Sequence, residues 1–549
     1  MIVIMIVISI LMIYKYYIYI YMDNPIFEEY IQELHNINPT INDFFMRDEW
    51  NDKNHIQPNV YSSEYDHKYL KLCKLFLKKI KKEKLSFYEK IFKNDLESII
   101  YRKEEYKIDY YMPIGLSNNI LLNYVSLCAG EGRYHFSKSK DYINFIKRLK
   151  SLDSITDEII KKLNSGIRNN ITIYQKTVSQ MIDNINEILK EKPYNHTKKI
   201  LISKKKWNQS VERYLVDNLK KLNDFLINKY QKHASKKCGL HQYKDGKKGY
   251  KFICKINTLK ELTPEKLFKF GMDEMKRIKK EKDKLEKELG KGNIDEYIKN
   301  NKSDYYKDKK DIIRDIHKIK KEILKNTFSK YFHGEIKKKD DYDVKPIRIE
   351  DRNHFAFYRS SDIRLKKKGT YYINTFNPSE INKHELYVLT LHEGIPGHHY
   401  EINYHINRNV GDYFKSAHYN DYSEGWGLYC EGLGDYSIPK RKYFRLKYDM
   451  IRSIRLVIDT AIHYFGWEYD KCYHFMKEHL HSSDEAIHRS LLRYIDNPGQ
   501  ALTYKIGEKT ILYLKNIHLE KGGNIKDFHE NIMRIGPCPI DDLLNYFIE

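Results

Sequence analysis

From Asp23 onward, apolar residues recur at intervals of three and four, with lysine and glutamate filling the positions between. That spacing matches the 3.6-residue helical turn, so each segment offers an apolar stripe that must be buried against a neighbour. Phe268, Met272, Met275, Ile278, Leu285 and Leu289 form one such stripe, with Thr263 as N-cap and Pro264 at the first helical position. A core-facing helix with a solvated basic back accounts for it, and no cofactor box is needed. The expected fold class is mainly α. A chain of 549 residues at 41% hydrophobic content can bury a large core.

Three segments interrupt the helical rhythm. Gly239 to Leu259, with Asp245-Gly246 between short apolar runs, reads as a hairpin or loop. The lysine-rich stretch from Lys291 to Lys310 reads as an exposed loop. Between Arg348 and Phe376, His354-Phe-Ala-Phe-Tyr358 and Tyr371-Tyr-Ile-Asn-Thr-Phe376 alternate as strands do. These strands precede a histidine-rich motif, and a free strand edge there can hold an extended peptide by main-chain pairing. There are no repeats and no long Pro/Gly/Ser linker.

The net charge is +23 and the pI near 9.2, a balance that usually invites a nucleic-acid reading. Here Lys, Ile, Asn and Tyr are all abundant, as AT-biased codon usage produces, and no arginine-rich stripe or zinc-finger spacing occurs. The excess lysine is therefore assigned to solvated helix faces, with no specific nucleic-acid partner. Seven cysteines, scattered and never in a Cys-x-x-Cys pair, fit a reducing compartment. Asn195-His196-Thr197 and Asn208-Gln209-Ser210 match the glycosylation pattern, which an Asn-rich chain meets by chance.

Residues 1–21 are apolar apart from Ser9, Lys15 and tyrosine hydroxyls, about the length that spans a bilayer. A basic leader and a small-residue cleavage site are both missing, which disfavours a signal peptide. Two readings stand: a membrane anchor, or a start at Met22 with an overlong upstream reading frame and a cytoplasmic protein. Residues 22–549 are then one helical domain, with a helical part at 22–340 and a part at 341–549 that carries the candidate site.

That site begins at Leu391-His392-Glu393-Gly394-Ile395-Pro396-Gly397-His398-His399-Tyr400. A helical His-Glu-x-x-His presents two imidazoles to zinc and leaves the glutamate as general base. Here Pro396 occupies the fifth position. On an undistorted helix His399 shares the face of His392 within about 20° but lies about 10 Å along the axis, and His398 is about 120° off that face. Proline removes a helical hydrogen bond and glycine accepts unusual dihedrals, so a bulge at Pro396-Gly397 can return a later histidine to His392. His398 is favoured as second ligand, with His399 binding substrate or supporting the site; the alternative assignment to His399 stays open.

A catalytic zinc site needs a third protein ligand. Glu424, in Tyr422-Ser-Glu-Gly-Trp-Gly-Leu-Tyr-Cys-Glu431, lies 32 residues after His392, enough to start a second, antiparallel helix. Glu431 follows on nearly the same face and is placed to orient a ligand histidine through its free ring N–H. Taken alone, Glu424 as a helix cap and Glu431 as a surface charge would be the simpler account.

These segments, with Arg493-Tyr-Ile-Asp-Asn-Pro-Gly-Gln-Ala-Leu-Thr-Tyr-Lys-Ile-Gly507, resemble the domain-of-unknown-function 885 family. Weaker blocks follow in order: Asp141-Tyr142 with Arg148-Leu149, Gly166-Ile167, Gly239-Leu240, Leu262-Thr-Pro264, and Arg455 to Trp467. The resemblance implies a zinc metallopeptidase-like protein with a large two-lobed helical fold, similar to carboxypeptidase Taq and angiotensin-converting-enzyme type gluzincins. It implies one zinc per chain, with His392, His398 and Glu424 as ligands. Gly427 stands where alanine is common in that family, a departure expected to cost helix stability more than chemistry.

On this reading Glu393 takes the proton of a zinc-bound water and passes it to the leaving amine. Tyr504 is the candidate oxyanion donor, with Tyr494 ten residues earlier as a supporting or substrate group. His463 and Arg493 are potential binders of a substrate carboxylate or carbonyl, for which a structural role is preferred. The expected function is hydrolysis of short peptides in a channel between two helical lobes. The alternatives are a catalytically silent zinc-binding or peptide-binding scaffold and, less favoured, a basic nucleic-acid-binding protein.

Overall fold

The computed structural model describes residues 24–45, 47–53, 55–80, 84–197, 199–337, 340–352, 354–361, 368–408 and 411–548. The apolar run at 1–21 lies outside them, and no helix among the described residues is long and apolar enough to cross a membrane. The described residues are mainly α, with one small sheet. The chain divides into two compact units: residues 1–236 with 408–417, and residues 237–407 with 418–549.

The first unit is built from helices such as Ser139–Lys150, Leu152–Arg168, Gln175–Glu191 and Asp217–Asn228. Their stripes meet in a core containing Phe145, Leu149, Ile159, Leu163, Trp207 and Leu222. Local chemistry sets the helix ends. The helix Phe87–Glu104 begins with a reciprocal capping box between Ser86 and Glu89, which satisfies two otherwise orphaned N–H groups. Residues 408–417 join this unit through the short helix Asp412–Ser416, whose Phe414 ring meets Phe27 edge-on at 5.0 Å.

The second unit holds every candidate site residue. Its α1, Pro264–Leu289, starts at the expected Thr263 cap and ends at Gly290 in the left-handed conformation. The buried line is centred on Leu267, Gly271, Met275, Ile278 and Leu285. Gly271 is a point of close approach: a Cβ there would sit 2.9 Å from Leu456 Cβ and Val457 Cγ2. Strands β1 (Asp343–Pro346), β2 (Ala356–Arg359) and β3 (Thr370–Ile373) form a sheet of order β1-β3-β2, with β1 parallel and β2 antiparallel to β3. Two of these strands lie in the alternating runs read from the sequence; β1 is an addition. Among the helices that follow are α2 (Lys383–Glu393), α3 (His398–Ile406), α4 (Asn420–Glu431), α5 (Pro439–Thr460), α6 (Asp484–Asp496) and α7 (Thr503–Glu520).

Two sequence expectations are corrected. Gly239 to Leu259 is not a hairpin: Asp245 does turn the chain at φ 59°, but a helix runs from Gly246 to Asn257. Tyr250, Ile253 and Cys254 are buried on one face, a helical period hidden behind the Asp-Gly turn signal. Lys291 to Lys310 is not simply an exposed loop, because it contains a helix, Ile294–Asn300, capped by Asn293. Ile294 and Ile298, one turn apart, pack with Ile278, Leu285 and Val388, and the lysines around them masked the pair.

Candidate metal centre

The histidine motif folds as a complete helix break, sharper than the expected bulge. α2 ends at Glu393, a turn covers Gly394 to Gly397, and α3 begins at His398. Pro396 donates no backbone hydrogen bond. The glycines are required by crowding: a Cβ at Gly397 would lie 1.9 Å from the His392 carbonyl oxygen, and one at Gly394 would lie 2.5 Å from the Tyr342 hydroxyl. Trp426 Nε1 on α4 donates to the Pro396 carbonyl at 2.9 Å and fixes the turn.

The break brings His398 beside His392, with ring centroids 4.7 Å apart and planes at 84°. One donor atom each from His392, His398 and Glu424 falls within a 4.8 Å set. Glu424 Oε2 is 3.5 Å from His392 Nε2 and 3.4 Å from His398 Nε2. Those gaps exceed a normal N–H···O separation of about 2.9 Å. They match the edge of a tetrahedron, about 3.3 Å, whose corners are ligands roughly 2.0–2.1 Å from a central zinc. The donor chemistry and spacing thus fit the ion that the sequence motif implies.

Each imidazole is held from behind. His392 Nδ1 is 2.9 Å from Glu431 Oε1, the partner expected from sequence. Glu431 in turn receives Arg452 Nη2 at 3.1 Å and lies 3.6 Å from Arg445 Nη1. Behind His398, Ser423 Oγ lies 3.3 Å from Nδ1 and donates to Glu401 Oε2 at 3.1 Å. With the Ser423 proton on Glu401, its oxygen is free to accept from His398 Nδ1–H, which leaves Nε2 as the donor atom.

The electrostatics are those of a cation site. Burial pulls the His392 pKa down, yet the Glu424 and Glu431 carboxylates beside it carry it to about 9. Burial likewise opposes ionisation of Glu424, but the two imidazoles outweigh it and hold that carboxyl well below its usual range. Glu393 behaves differently. Burial raises its pKa, and its Oε2 is a buried atom without a hydrogen-bond partner.

His399 faces away from the cluster. Its Nδ1 meets the Tyr358 hydroxyl at 3.0 Å and its Nε2 the Asp340 carbonyl at 2.8 Å. Burial pushes its pKa down to about 4, so a neutral ring ties α3 to β2.

Tyr504 reaches the cluster from α7. Its hydroxyl donates to Glu424 Oε1 at 2.9 Å and accepts from Arg493 Nη2 at 2.8 Å. α4 and α7 approach closely enough for this because Gly425 faces Gly507; a Cβ on Gly425 would lie 2.5 Å from the Gly507 Cα. Tyr494 is one layer back, buried, with its hydroxyl accepting from Arg455 Nε at 3.3 Å. His463 has the structural role preferred from sequence: its Nδ1 accepts from the Leu240 N–H at 3.2 Å and its Nε2 meets the Tyr494 carbonyl at 2.9 Å. Arg493 likewise bonds within the protein, its Nη2 donating to the Gln500 side-chain oxygen at 2.7 Å and to the Tyr504 hydroxyl at 2.8 Å.

Gly427 does more than lower helix propensity. Its absent side chain is clearance for His392, because a Cβ there would be 2.7 Å from the ring Cε1. Ser423, Glu401, Gln500 and His418 were not singled out from sequence. Gln500 lies inside a motif block, and its Nε2 donates to Tyr504 at 3.3 Å and to Glu424 at 3.5 Å. Glu401 follows His398 by three residues, the spacing of neighbours on one helix face, which is the one sequence signal for it. His418 keeps accessible surface, while burial lowers its pKa and the charges of Glu424 and His398 act on it.

No curated protein matches the sequence. Two solved structures share the fold. One is described as a "putative lipoprotein" from Colwellia psychrerythraea, 21% identical, with a TM-score of 0.77 over 88% of this chain and 90% of that one. The other, from Shewanella oneidensis, is described as a "putative lipoprotein of unknown function", 16% identical, with a TM-score of 0.70 over 95% of this chain and 99% of that one. The sequence blocks at His392, Glu424 and Arg493–Gly507 all fall within residues 49–545, which match the family described as "Bacterial protein of unknown function (DUF885)", and the chain belongs to that family.

Proposed function

We propose that this chain is a zinc-dependent peptidase related in chemistry to the gluzincins. The observation that carries the reading is Glu424 Oε2 at a tetrahedral-edge distance from both His392 Nε2 and His398 Nε2, beside a buried Glu393 oxygen that has no partner among the described residues. Bound zinc would lower the pKa of a coordinated water and polarise a carbonyl. His392 and His398 would hold the ion as neutral rings, with Glu431 beside the first and Ser423 beside the second, and Glu424 would add a negative ligand. Glu393 accepts the proton of the attacking water at its free oxygen. Burial raises its pKa above the usual carboxylate value, and the same carboxyl then returns the proton to the leaving amine. Tyr504, positioned by Arg493 and Gln500, is the donor nearest to where an oxyanion would develop.

The outer edge of β2 is a candidate rail for an extended peptide, since β2 pairs only with β3 among the described residues. Residues 1–21 are long and apolar enough for a bilayer anchor, and a start at Met22 stands beside that reading.

The test is metal analysis of purified protein with peptide hydrolysis in parallel. One zinc per chain, and turnover lost in Glu393→Gln with zinc retained, is the expected result. Protein without zinc, or His392→Ala with unchanged zinc content, would remove the reading. Stoichiometric zinc with no turnover across a diverse peptide library would leave a binding scaffold in its place.

A further inference from the structure

Behind the cluster, Glu431 faces two guanidiniums of α5. Arg452 Nη2 donates to its Oε1 at 3.1 Å, and the same oxygen lies 2.9 Å from His392 Nδ1. Arg445 stays further off: its Nη1 is 3.6 Å from Glu431 Oε2. That is an ion pair without a hydrogen bond, since the usual N–H···O separation is about 2.9 Å. Both atoms are buried, and neither has a hydrogen-bond partner among the described residues. A buried donor and a buried acceptor of opposite charge gain by closing such a gap, because each unmet group is costly. Arg445 is therefore held back by something else.

Glu508 on α7 holds it. Glu508 Oε1 accepts from Arg445 Nη2, the other nitrogen of the same fork, and Oε2 accepts from Lys505 Nζ at 2.7 Å. Lys505 is buried and is held in turn by Asp449 of α5 and by Glu274 of α1, the latter at 3.2 Å. Glu274 also binds Arg277 at 2.9 Å and Lys509 at 3.0 Å. Opposite charges thus alternate from α1 through α7 and α5 to the end of α4. Glu508 is the member that limits how far Arg445 leans towards Glu431.

The gap matters to His392. A carboxylate that takes on another charge-assisted hydrogen bond becomes a weaker acceptor for the imidazole N–H, and a guanidinium closer to the cluster is a cation closer to a cation site. Both effects oppose zinc. We propose that Glu508 is a positioning residue for the metal centre: it keeps the Arg445 guanidinium off Glu431, so that the charge of Glu431 is spent on His392 and Arg452. The proposal rests on the zinc site of the preceding reading and not on its peptidase chemistry.

Two single substitutions should therefore move zinc affinity in opposite directions, measured by chelator competition on the full-length protein. Glu508→Gln leaves Lys505 paired with Asp449 and Glu274 but lets Arg445 close on Glu431, and affinity is expected to fall about tenfold, the lower end of what disturbing a ligand's support costs. Arg445→Gln leaves Glu508 with Lys505 and Glu431 with Arg452, and removes one cation near the site; affinity should rise about twofold or more. The double variant has no guanidinium left to restrain, so it should recover wild-type affinity to within about twofold. Residues that only stabilise the fold would lower the metal-free melting temperature in each variant and leave the zinc affinity of the folded protein where it was.

Unchanged affinity in Glu508→Gln, a loss that persists in the double variant, or an affinity in Arg445→Gln that is level or lower would each overturn the proposal. The sign in Arg445→Gln decides by itself where Glu508→Gln does not fold. Wild-type protein that takes up no zinc removes the zinc reading and the proposal together, whereas zinc uptake without the recovery removes the proposal alone.

Discussion

Replacing Gly427 by alanine sets two opposing effects against each other, and their sizes predict the outcome. Position 427 is inside α4, where alanine exceeds glycine in helix propensity by about 1 kcal/mol. The added methyl carbon would sit 2.7 Å from His392 Cε1, 2.9 Å from Nδ1 and 3.0 Å from Nε2. Restoring ordinary contact at 3.4 Å needs a retreat of about 0.7 Å, by the ring or by α4. His392 has little freedom to give way, because Glu431 holds Nδ1 at 2.9 Å and Glu424 faces Nε2. A site of this kind tolerates about 0.5 Å of misplacement. Disturbing a ligand's support typically weakens metal binding about 10- to 100-fold, roughly 1.4–2.7 kcal/mol, which exceeds the propensity gain. Gly427→Ala should therefore bind zinc about 10- to 100-fold more weakly in competition with a chromophoric chelator. Its metal-free melting temperature should stay level or rise, while the further rise on adding zinc shrinks. An alanine variant that binds zinc as tightly as the wild type would refute the clearance argument.

Three further outcomes are expected. Glu393→Gln should keep one zinc per chain and lose at least about 100-fold in hydrolysis, because the carboxylate is assigned to proton transfer and not to coordination; zinc loss in this variant would reassign it as a ligand. Glu431→Gln keeps the shape but removes the charge behind His392, so chelator competition should report zinc affinity lower by about 10- to 100-fold, and an unchanged value would separate Glu431 from the site. Burial raises the Asp459 pKa to about 7 from an ordinary 3.8, despite hydrogen bonds from Tyr250 and Gly499. The folded state therefore holds that proton more tightly than the unfolded one, and the stability it contributes is present below about pH 4 and lost as pH rises towards 7. Urea titrations at pH 5 and pH 8 should differ less in Asp459→Asn than in the wild type, and an equal difference in both would count against Asp459 as the source.

What the sequence disclosed and what it hid divide along the range of the interactions. The α1 stripe was legible because helical burial is written at spacings of three and four, and its cap at Thr263 is equally local. The need for a distortion at Pro396-Gly397 was legible for the same reason. The misreading of Gly246–Asn257 came from weighting one Asp-Gly turn above the Tyr250, Ile253, Cys254 period that follows it. Ser423 and Glu401 were not legible, because their roles exist only once His398 has been turned towards α4. The contact of Arg493 with Tyr504 was not legible either, because it exists only once α6 and α7 are packed.

The break in the motif also explains why α4 carries so much of the site. An intact helix would fix two imidazoles by its own repeat, but here His392 closes one helix and His398 opens the next. Their dipoles act in opposite senses: the C-terminal end of α2 favours a cation beside His392, and the N-terminal end of α3 disfavours one beside His398, each by about 0.3–1 kcal/mol. Neither helix alone defines the spacing or the charge of the pair, so both must come from a third element. α4 supplies them from one side. Ser423, Glu424, Gly427 and Glu431 fall within an arc of about 100° on that helix. From it they orient His398, face both Nε2 atoms, clear the His392 ring and hold its Nδ1. Trp426 reaches across to the turn itself. A change on that arc therefore alters the geometry of both histidines together, so substitutions at Ser423 and Gly427 should be coupled in their effect on zinc affinity. A double-mutant cycle on Ser423→Ala and Gly427→Ala that proves strictly additive would show that the two histidines are positioned independently.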